Sequence, residues 1–265
     1  MTNGFLVVDK PGGVTSHDVV AKARKDLNTR KIGHAGTLDP MATGVLVLGI
    51  GDGTRLLQYI TAGSKSYEAT VKLGQLTSTD DKEGEVIAST GIPSDIAGAF
   101  AKQVGKIMQK PSSVSAIRID GKRAYDLVRE GVEVDIPARE VEVYDLKIKE
   151  IRGDEVDITV DCSAGTYIRA IARDCGGHLT SLRRTKVGIF DLEMAGKLLT
   201  VAEVASRIFM PRQLDLHEAA EMKFGRPIDP TGKPGIVAAI TPNGELAALL
   251  EDKDGRAKPL AVFVK

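Results

Sequence analysis

Alternating apolar and polar residues predict half-buried strands in three parts of the chain. Residues 67–73, 141–148 and 156–162 each place apolar side chains on one face, as the two-residue period of a strand requires. Residues 5–8 and 45–50 are apolar throughout, which indicates strands buried on both faces. Several consecutive alternating strands favour a largely antiparallel sheet.

Apolar residues at helical spacing predict helices between these strands. Thr15 and Asp18 are typical of a capping box, which predicts a helix directly after Thr15. Ser94 is predicted to cap a second helix. The apolar face of that helix consists of Ile96, Phe100, Val104 and Ile107. Shorter helices are predicted over residues 55–60, 123–130, 166–174 and 214–223.

Strands and helices together predict an α+β fold, with a mixed, largely antiparallel sheet and flanking helices. A length of 265 residues fits one large domain and one small domain. We place the boundary near Met210-Pro211-Arg212, so that residues 1–212 form the larger domain. Residues 213–265 are then a small β-rich domain with a turn at Pro242-Asn243-Gly244.

Charge is balanced over the whole chain but not along it. The 36 basic and 36 acidic residues give a net charge of zero, which by itself argues against a polyanionic partner. Residues 21–31, 102–129 and 163–188 nevertheless carry net charges of +4, +5 and +4. Two interpretations stay open, because these segments could form an RNA-binding face or three solvated helix faces.

Composition and cysteine usage are those of an ordinary globular protein of a reducing compartment. Cys162 and Cys175 are not spaced as a CxxC pair, which favours neither a disulfide nor a zinc site. The first residues contain no basic stretch followed by a long apolar run, so neither a signal peptide nor a membrane span is expected. We therefore expect a cytoplasmic protein.

Segment 33–44 combines three glycines, a proline and small residues with one carboxylate. Small residues let the backbone approach a ligand closely. Asp39 lies between Leu38 and Met41, so that its carboxylate is expected to be partly desolvated. An Asp-Pro pair is also typical of a plain turn in which the aspartate caps its own backbone. The residues alone leave both interpretations open.

A buried and ionised Asp39 would need a cation beside it. Arg169 is the candidate, because it lies in the apolar first turn of the helix predicted over 166–174. The alternative is that Arg169 is simply exposed on its helix, which is the commoner environment of arginine.

Other chemistries have weaker support in the sequence. Residues 49–54 resemble a dinucleotide-binding turn, but Thr54 stands at the third glycine position and no acidic residue follows about 20 positions later. We interpret this segment as a loop. The four histidines lack metal-ligand spacing, and no serine lies in a GxSxG elbow. Neither a metal nor a nucleotide cofactor is expected.

Segment 33–44 resembles the signature of the TruB family, whose members make pseudouridine at position 55 in the T loop of tRNA. Further blocks resemble the family in the same order, over a region of about residues 5–195. These blocks are residues 8–12, 65–80, 110–125, 162–169 and 182–184. The resemblance implies a pseudouridine-synthase fold followed by a PUA-like RNA-binding domain.

The resemblance also implies roles for single residues. Asp39 is implied to be the catalytic aspartate and Arg169 to pair with it. Tyr67 is implied to stack on the target base, and Tyr167 and Leu182 to line the uracil pocket.

His34 is implied to help hold the flipped-out nucleotide. The basic residues are expected to hold phosphates of the RNA. They are Lys122 and Arg123, in an RNA-gripping insertion at about residues 110–138, and Arg183 and Arg184 in a later block.

The implied partner is tRNA at its T arm, without a membrane, a required protein partner or a cofactor, and the expected state is a monomer. The chain departs from the family pattern between Asp174 and Gly176, where the connection is short. Three alternatives stay open: a tRNA chaperone without activity, a guide-RNA-dependent synthase, and a hydrolase that uses His34 and Asp39.

Overall fold

The computed structural model describes residues 3–112 and 135–264, and the backbone of residues 118–119 and 122–123. The helices within these residues are α1 (Ser16–Asp26), α2 (Leu57–Thr61), α3 (Ile96–Ala101), α4 (Ile168–Asp174), α5 (Val201–Ile208) and α6 (Leu216–Lys223). The strands as far as residue 112 are β1 (Gly4–Lys10), β2 (Ile32–His34), β3 (Thr43–Ile50), β4 (Lys65–Thr77), β5 (Val86–Gly91) and β6 (Gly105–Gln109). None of the helices described here is long and apolar enough to cross a membrane.

The remaining strands continue this numbering. They are β7 (Arg118–Ile119), β8 (Lys122–Arg123), β9 (Arg139–Arg152), β10 (Glu155–Cys162), β11 (Gly177–Val187), β12 (Phe190–Asp191), β13 (Leu198–Leu199), β14 (Met210–Gln213), β15 (Val237–Ile240), β16 (Leu246–Lys253) and β17 (Arg256–Val262). All five strands predicted from the hydrophobic pattern are confirmed, as β1, β3, β4, β9 and β10.

Eleven of the described strands form one mixed sheet, in the order β13-β1-β3-β11-β4-β10-β9-β6, with β2 on β3, β5 on β4 and β12 on β11. The named strands of this sheet pair antiparallel, except that β3 pairs parallel with β11. That parallel pair places Gly44 opposite Arg184. Gly44 has φ +104°, and a Cβ there would lie 2.1 Å from the Arg184 carbonyl oxygen. Only glycine fits where these two strands meet. The predicted mixed, largely antiparallel sheet is confirmed.

Helix α1 begins as its sequence predicts. Thr15 and Asp18 form the capping box, in which each side chain accepts a hydrogen bond from the other residue's backbone N–H. Val20 and Ala23 are buried against one face of the sheet, where Leu46 and Leu48 of β3 belong to the same cluster. The helix therefore lies over the strand that follows segment 33–44.

Three predicted local structures are corrected. Asp95, not Ser94, caps α3 by accepting from the Gly98 N–H at 2.7 Å. The helix ends at Ala101, because Gly105, at φ +91°, leads into β6, which pairs with β9. Val104 and Ile107 therefore lie outside it, and helical spacing alone did not reveal the change of element.

The segment 49–54 is not a loop: a 3-10 turn covers Gly51–Leu56 and leads into α2. A Cβ at Gly53 would lie 2.3 Å from the Gly4 carbonyl oxygen, so this glycine allows close packing against β1. Arg123, predicted to begin a helix, belongs to the β7–β8 hairpin. The rest of that predicted helix, residues 124–130, lies outside the described residues.

The C-terminal strands form a separate four-stranded sheet in the order β14-β15-β16-β17. This sheet begins at Met210, so that three of its residues precede the domain boundary placed at 212/213. Ala238, Ile240, Leu246 and Leu249 of this sheet share a hydrophobic core with strands β1 and β3 and helix α5. The strand that leads out of segment 33–44 therefore packs, on its other face, towards the C-terminal sheet.

Candidate active site

Asp39 lies in the connection between β2 and β3, which is anchored to the N-terminal end of α1. Ser16 Oγ donates to the Leu38 carbonyl at 3.1 Å and accepts from the Leu38 N–H at 2.9 Å. Gly13 N–H donates to the Pro40 carbonyl at 2.8 Å. Leu38 and Met41 are buried, as expected from the sequence. The backbone is thus fixed on both sides of Asp39.

Lys10 also holds this connection and was missed at the sequence level. Its side chain is fully buried, and its ammonium donates to the carbonyl oxygens of Pro11, Val14 and Pro40 at 2.9, 2.7 and 3.2 Å. Burial lowers the pKa of Lys10, while Asp39 opposes that change. The available signal was a lysine at the end of an apolar strand, inside a block that resembles the TruB family.

The predicted ion pair of Arg169 and Asp39 is present. Arg169 is 4% exposed, and its Nε lies 3.0 Å from Asp39 Oδ2. Its Nη1 lies 3.3 Å from Asp81 Oδ2 and donates to the Thr79 carbonyl at 2.9 Å. One guanidinium therefore bridges two carboxylates, one of which faces the pocket.

Asp81 is a second residue that the sequence did not reveal. It accepts hydrogen bonds from Thr79 Oγ1 at 2.5 Å and from the Glu83 N–H at 3.0 Å. Asp80 beside it accepts from Ser112 and pairs with Arg173, one turn along α4 from Arg169. Two adjacent aspartates directly after a long alternating strand were the signal available.

The ionisation of Asp39 reflects opposing influences. Burial raises the pKa of its carboxyl above the usual aspartate range, and the nearby Asp81 raises it further. Arg169 lowers it, and Lys10 and Arg184 do so to a smaller extent. The side chain is 35% exposed, because one side of the carboxyl opens into the pocket.

A pocket of about 330 Å³ opens at Asp39. It is lined by residues 36–39, Thr61, Lys65, Tyr67, Arg139, residues 164–169, Leu182 and Arg184. The structure thus brings together Asp39, Tyr67, Tyr167, Arg169 and Leu182, which the resemblance assigned to the site. Its volume is in the range of small-molecule sites.

Aromatic and amide groups shape the pocket wall. Tyr67 is 8% exposed, and burial raises the pKa of its hydroxyl while Arg184 opposes that rise. The buried amide of Gln109 holds the backbone of Tyr167: it accepts from the Tyr167 N–H at 2.8 Å and donates to its carbonyl at 3.1 Å. Gln109 is a third residue missed by the sequence, where it looked like an ordinary strand position.

His34 is not among the pocket-lining residues. Its ring packs edge-on against His17, with 5.6 Å between the ring centroids. Lys122 and Arg123 are described by their backbone alone, as strand β8, so their expected contacts with RNA stay predictions.

Arg184 does not have the environment expected of an RNA contact. It is 1% exposed, and its guanidinium donates to the carbonyl oxygens of Val45, Thr37 and Gly36 at 2.9, 3.3 and 3.1 Å. These hydrogen bonds hold the Asp39 connection against β3. Arg184 also lines the pocket, and its expected phosphate contact stays a prediction.

The positive charge of residues 163–188 is largely turned inward or paired. Arg169 and Arg184 are buried, and Arg173 pairs with Asp80 and Asp174. Arg183 is partly exposed but forms a salt bridge with Asp9 at 2.7 Å. Lys186 of the same segment is exposed, so an RNA-binding role for this segment stays a prediction.

Two family models match the chain. "TruB family pseudouridylate synthase (N terminal domain)" matches residues 24–168, and "tRNA Pseudouridine synthase II, C terminal" matches residues 209–264. The first covers more than half of the chain, and the second covers the four-stranded sheet.

Curated relatives match over nearly their whole length. The tRNA pseudouridine synthase B of Corynebacterium glutamicum (strain R) is 48% identical, over 96% of this chain and 93% of that protein. The enzyme of the same name from Mycobacterium ulcerans is 47% identical, over 98% and 94%.

A solved structure, an H/ACA RNP bound to a substrate RNA containing 2'-deoxyuridine, contains a chain of the same fold. Its TM-score is 0.71 at 24% identity, over 99% of this chain and 85% of that chain. The family models, the curated relatives and the pocket around Asp39 agree: the chain belongs to the TruB family of pseudouridylate synthases, and is an isomerase.

Proposed function

We propose that the chain converts the uridine at position 55, in the T loop of tRNA, into pseudouridine, with Asp39 as the nucleophile and without a cofactor. Family membership gives the reaction class, isomerisation of uridine to pseudouridine in tRNA. The observation that supports the finer proposal is the position of Asp39, 3.0 Å from Arg169 in a pocket that Tyr67 also lines.

The reaction breaks the N1–C1′ bond, turns the base and joins C5 to C1′. Nothing is oxidised and no phosphate is moved, so that the chemistry calls for a nucleophile and a proton acceptor. A carboxylate can add to the base or to C1′ and divide one difficult step into easier ones. Asp39 has the required access, and Arg169 favours its ionised form against the effect of burial.

A uridine inside a folded RNA must leave its stack to reach Asp39, at a cost of a few kcal/mol. Tyr67, Tyr167 and Leu182 offer aromatic and apolar surface in the pocket, which offsets part of that cost. The proton on C5 must then be removed, and the Tyr67 hydroxyl or a water molecule is a suitable carrier.

Stand-alone action as a monomer in the cytoplasm, without a guide RNA, is part of the proposal. It is supported by the curated relatives at 47–48% identity, each of which is named tRNA pseudouridine synthase B. A tRNA chaperone role is compatible with this activity and would not require Asp39.

The test is incubation of the purified chain with unmodified tRNA, followed by mapping of pseudouridine at each uridine. Product at position 55 alone is expected, both with the whole tRNA and with an isolated T-arm stem-loop. A tRNA with cytidine at position 55 is the matched control and should yield none. Product at other positions only would contradict the proposed target, and no product at all would contradict the activity.

A further inference from the structure

Among the described residues, four cations line the Asp39 pocket: Lys65, Arg139, Arg169 and Arg184. Three of them are already engaged inside the protein. Lys65 donates to the carbonyl oxygens of Thr61 and Gly63 at 2.7 and 2.6 Å. Arg169 bridges two carboxylates, and Arg184 donates to three carbonyl oxygens.

Arg139 is held by fewer contacts, since it makes one hydrogen bond among the described residues. It is half-buried at the start of β9, and no carboxylate of the described residues lies within ion-pair distance of it. Its guanidinium donates through Nη2 to the Gly165 carbonyl and lies over the Tyr167 ring, 5.3 Å from the centroid. Its Nε is buried and has no hydrogen-bond partner among the described residues.

These contacts orient the guanidinium without neutralising it. A carbonyl oxygen and an aromatic face restrict its rotation but leave its full positive charge. Gly165 has φ +87°, and a Cβ there would lie 3.3 Å from Arg139 Nη2, so a larger residue would crowd this contact. A fixed guanidinium with donors to spare is suited to a bidentate contact with an oxyanion.

We propose that Arg139 binds a backbone phosphate next to the target uridine, and so fixes the flipped nucleotide over Asp39. The proposal rests on the proposed function, because the ligand is taken to be RNA. Phosphates are the anionic groups of a uridine nucleotide, so a cation without a counterion at the pocket wall meets a phosphate as its partner of opposite charge.

The test pairs a protein variant with a neutral phosphate. Arg139→Gln keeps a donor for the Gly165 carbonyl but loses the charge. A T-arm stem-loop is made with a methylphosphonate in place of the phosphate on the 5′ or the 3′ side of the target uridine. Dissociation constants are measured in an Asp39→Asn background, so that no turnover occurs and the result is separate from activity.

With unmodified RNA, Arg139→Gln should weaken binding by about tenfold to a hundredfold, the usual range for a charge-assisted hydrogen bond. One of the two methylphosphonates should weaken binding to a similar extent when Arg139 is present. The same methylphosphonate should have almost no effect in the Arg139→Gln variant, since the two changes remove the same interaction. Arg139→Lys should retain part of the affinity and of this coupling. Additive effects at both phosphates would overturn the proposal.

Arg55→Gln is the matched control. Arg55 also lies over an aromatic ring, 4.2 Å from the Phe263 centroid, and donates to the Val262 carbonyl, but it does not line the pocket. It should show no coupling to either phosphate. A purely structural Arg139 would lower the melting temperature without coupling, which would also overturn the proposal. Turnover of the unchanged chain on unmodified RNA reports separately on the proposed function.

Discussion

Arg169 and Arg184 are both buried beside the Asp39 pocket, but they contact different kinds of partner. Arg169 bridges the carboxylates of Asp39 and Asp81, and we call these three residues the Arg169 region. Arg184 donates to the carbonyl oxygens of Gly36, Thr37 and Val45, and this set is the Arg184 region. The first contact influences the ionisation of Asp39, whereas the second holds the backbone that carries it.

The comparison shows that a buried cation near a carboxylate need not serve that carboxylate directly. In the Arg169 region, charge is balanced by opposite charge, so that the pKa of Asp39 depends on the guanidinium. In the Arg184 region, the charge is stabilised by carbonyl dipoles, and burial lowers the pKa of the guanidinium. Substitutions in the two regions should therefore differ in whether they change chemistry or stability.

The largest effect is expected from Asp39→Asn. Turnover should fall by on the order of 10⁴ or more, because the nucleophile is lost. Affinity for RNA should change by less than about tenfold, or 1.4 kcal/mol, since the amide has the same shape and the phosphate contacts come from other residues. Pseudouridine yield and tRNA affinity are measured on the same preparation. Substantial product would contradict the catalytic role of Asp39 and would favour the interpretation that it is a plain turn residue.

Arg169→Met should reduce turnover strongly and stability by about 3–5 kcal/mol, because it leaves Asp81 buried without its partner. Arg173→Met is the matched control: it lies on the same helix and pairs with Asp80 and Asp174, not with Asp39. Turnover and thermal unfolding are measured for both variants. Near-normal turnover in Arg169→Met would show that the ion pair is not needed for activity.

Arg184→Met should instead destabilise the fold, by about 3 kcal/mol, because buried carbonyl oxygens lose their donors. Turnover should fall as well, since the backbone at Gly36 and Thr37 leads to Asp39. The salt dependence of RNA binding should stay the same. A shallower salt slope at unchanged stability would instead support the phosphate contact that the sequence predicted for Arg184.

Turnover should decline on acidification at a higher pH than for an ordinary aspartate, because burial raises the pKa of Asp39. Arg169→Met should move this midpoint further upward and Arg184→Met should move it less, in the order of their influence on Asp39. Single-turnover rates across pH measure both shifts. Equal shifts of the pH midpoint in the two variants would show that Arg169 and Arg184 influence the ionisation of Asp39 equally, which would contradict the distinction between the two regions.

The contribution of Asp39 to folding stability should change with pH in the opposite direction to turnover. A raised pKa in the folded state means that the folded chain binds the proton more tightly, so Asp39 contributes most at acid pH and loses that contribution as pH rises through its pKa. Asp39→Asn should remove this part of the pH dependence. Thermal unfolding of the two proteins across pH isolates it, because Asp80, whose pKa burial also raises, is common to both.

The smallest effect is expected from Arg183→Ala, next to Arg184 but partly exposed and paired with Asp9. A surface ion pair contributes about 0–1 kcal/mol, so stability and RNA affinity should change little.

Lys122→Ala and Arg123→Ala should weaken binding more than Arg183→Ala does. They should also make the log–log salt slope shallower by about 0.9 for each phosphate that is no longer neutralised, by analogy with DNA. A flat dependence of affinity on salt would contradict a basic RNA-binding face.

Much of the fold could be predicted from local pattern. The alternation in 67–73 gave the inward positions of β4 correctly, and Thr15 and Asp18 marked the start of α1. The prediction failed at residues 94–107, because helical spacing of apolar residues is also compatible with a short helix followed by a strand. Which alternative forms depends on β9, which pairs with β6 but lies far away in sequence.

Some residues of the candidate site could likewise be predicted from the sequence, and others could not. Segment 33–44 could be selected from its composition and its resemblance to a family, and Asp39 with it. Asp81, Lys10 and Gln109 were missed, because the weak signals in their local sequence do not show that these polar side chains are buried. Arg183 and Arg184 are adjacent in sequence, but the alternation of β11 places one outward at Asp9 and the other inward.

The sequence by itself determined the strands, the capped first helix, the family and the carboxylate on which the proposed chemistry depends, because these follow from short periodicities and contiguous motifs. Tertiary structure decided which cations meet which partners. Asp39, Asp81 and Arg169 come from three separate segments, and only the folded chain brings the Arg169 guanidinium within 3.3 Å of both carboxylates. Burial then sets the role of each charge, since the cost of removing it from water depends on the partners that folding supplies.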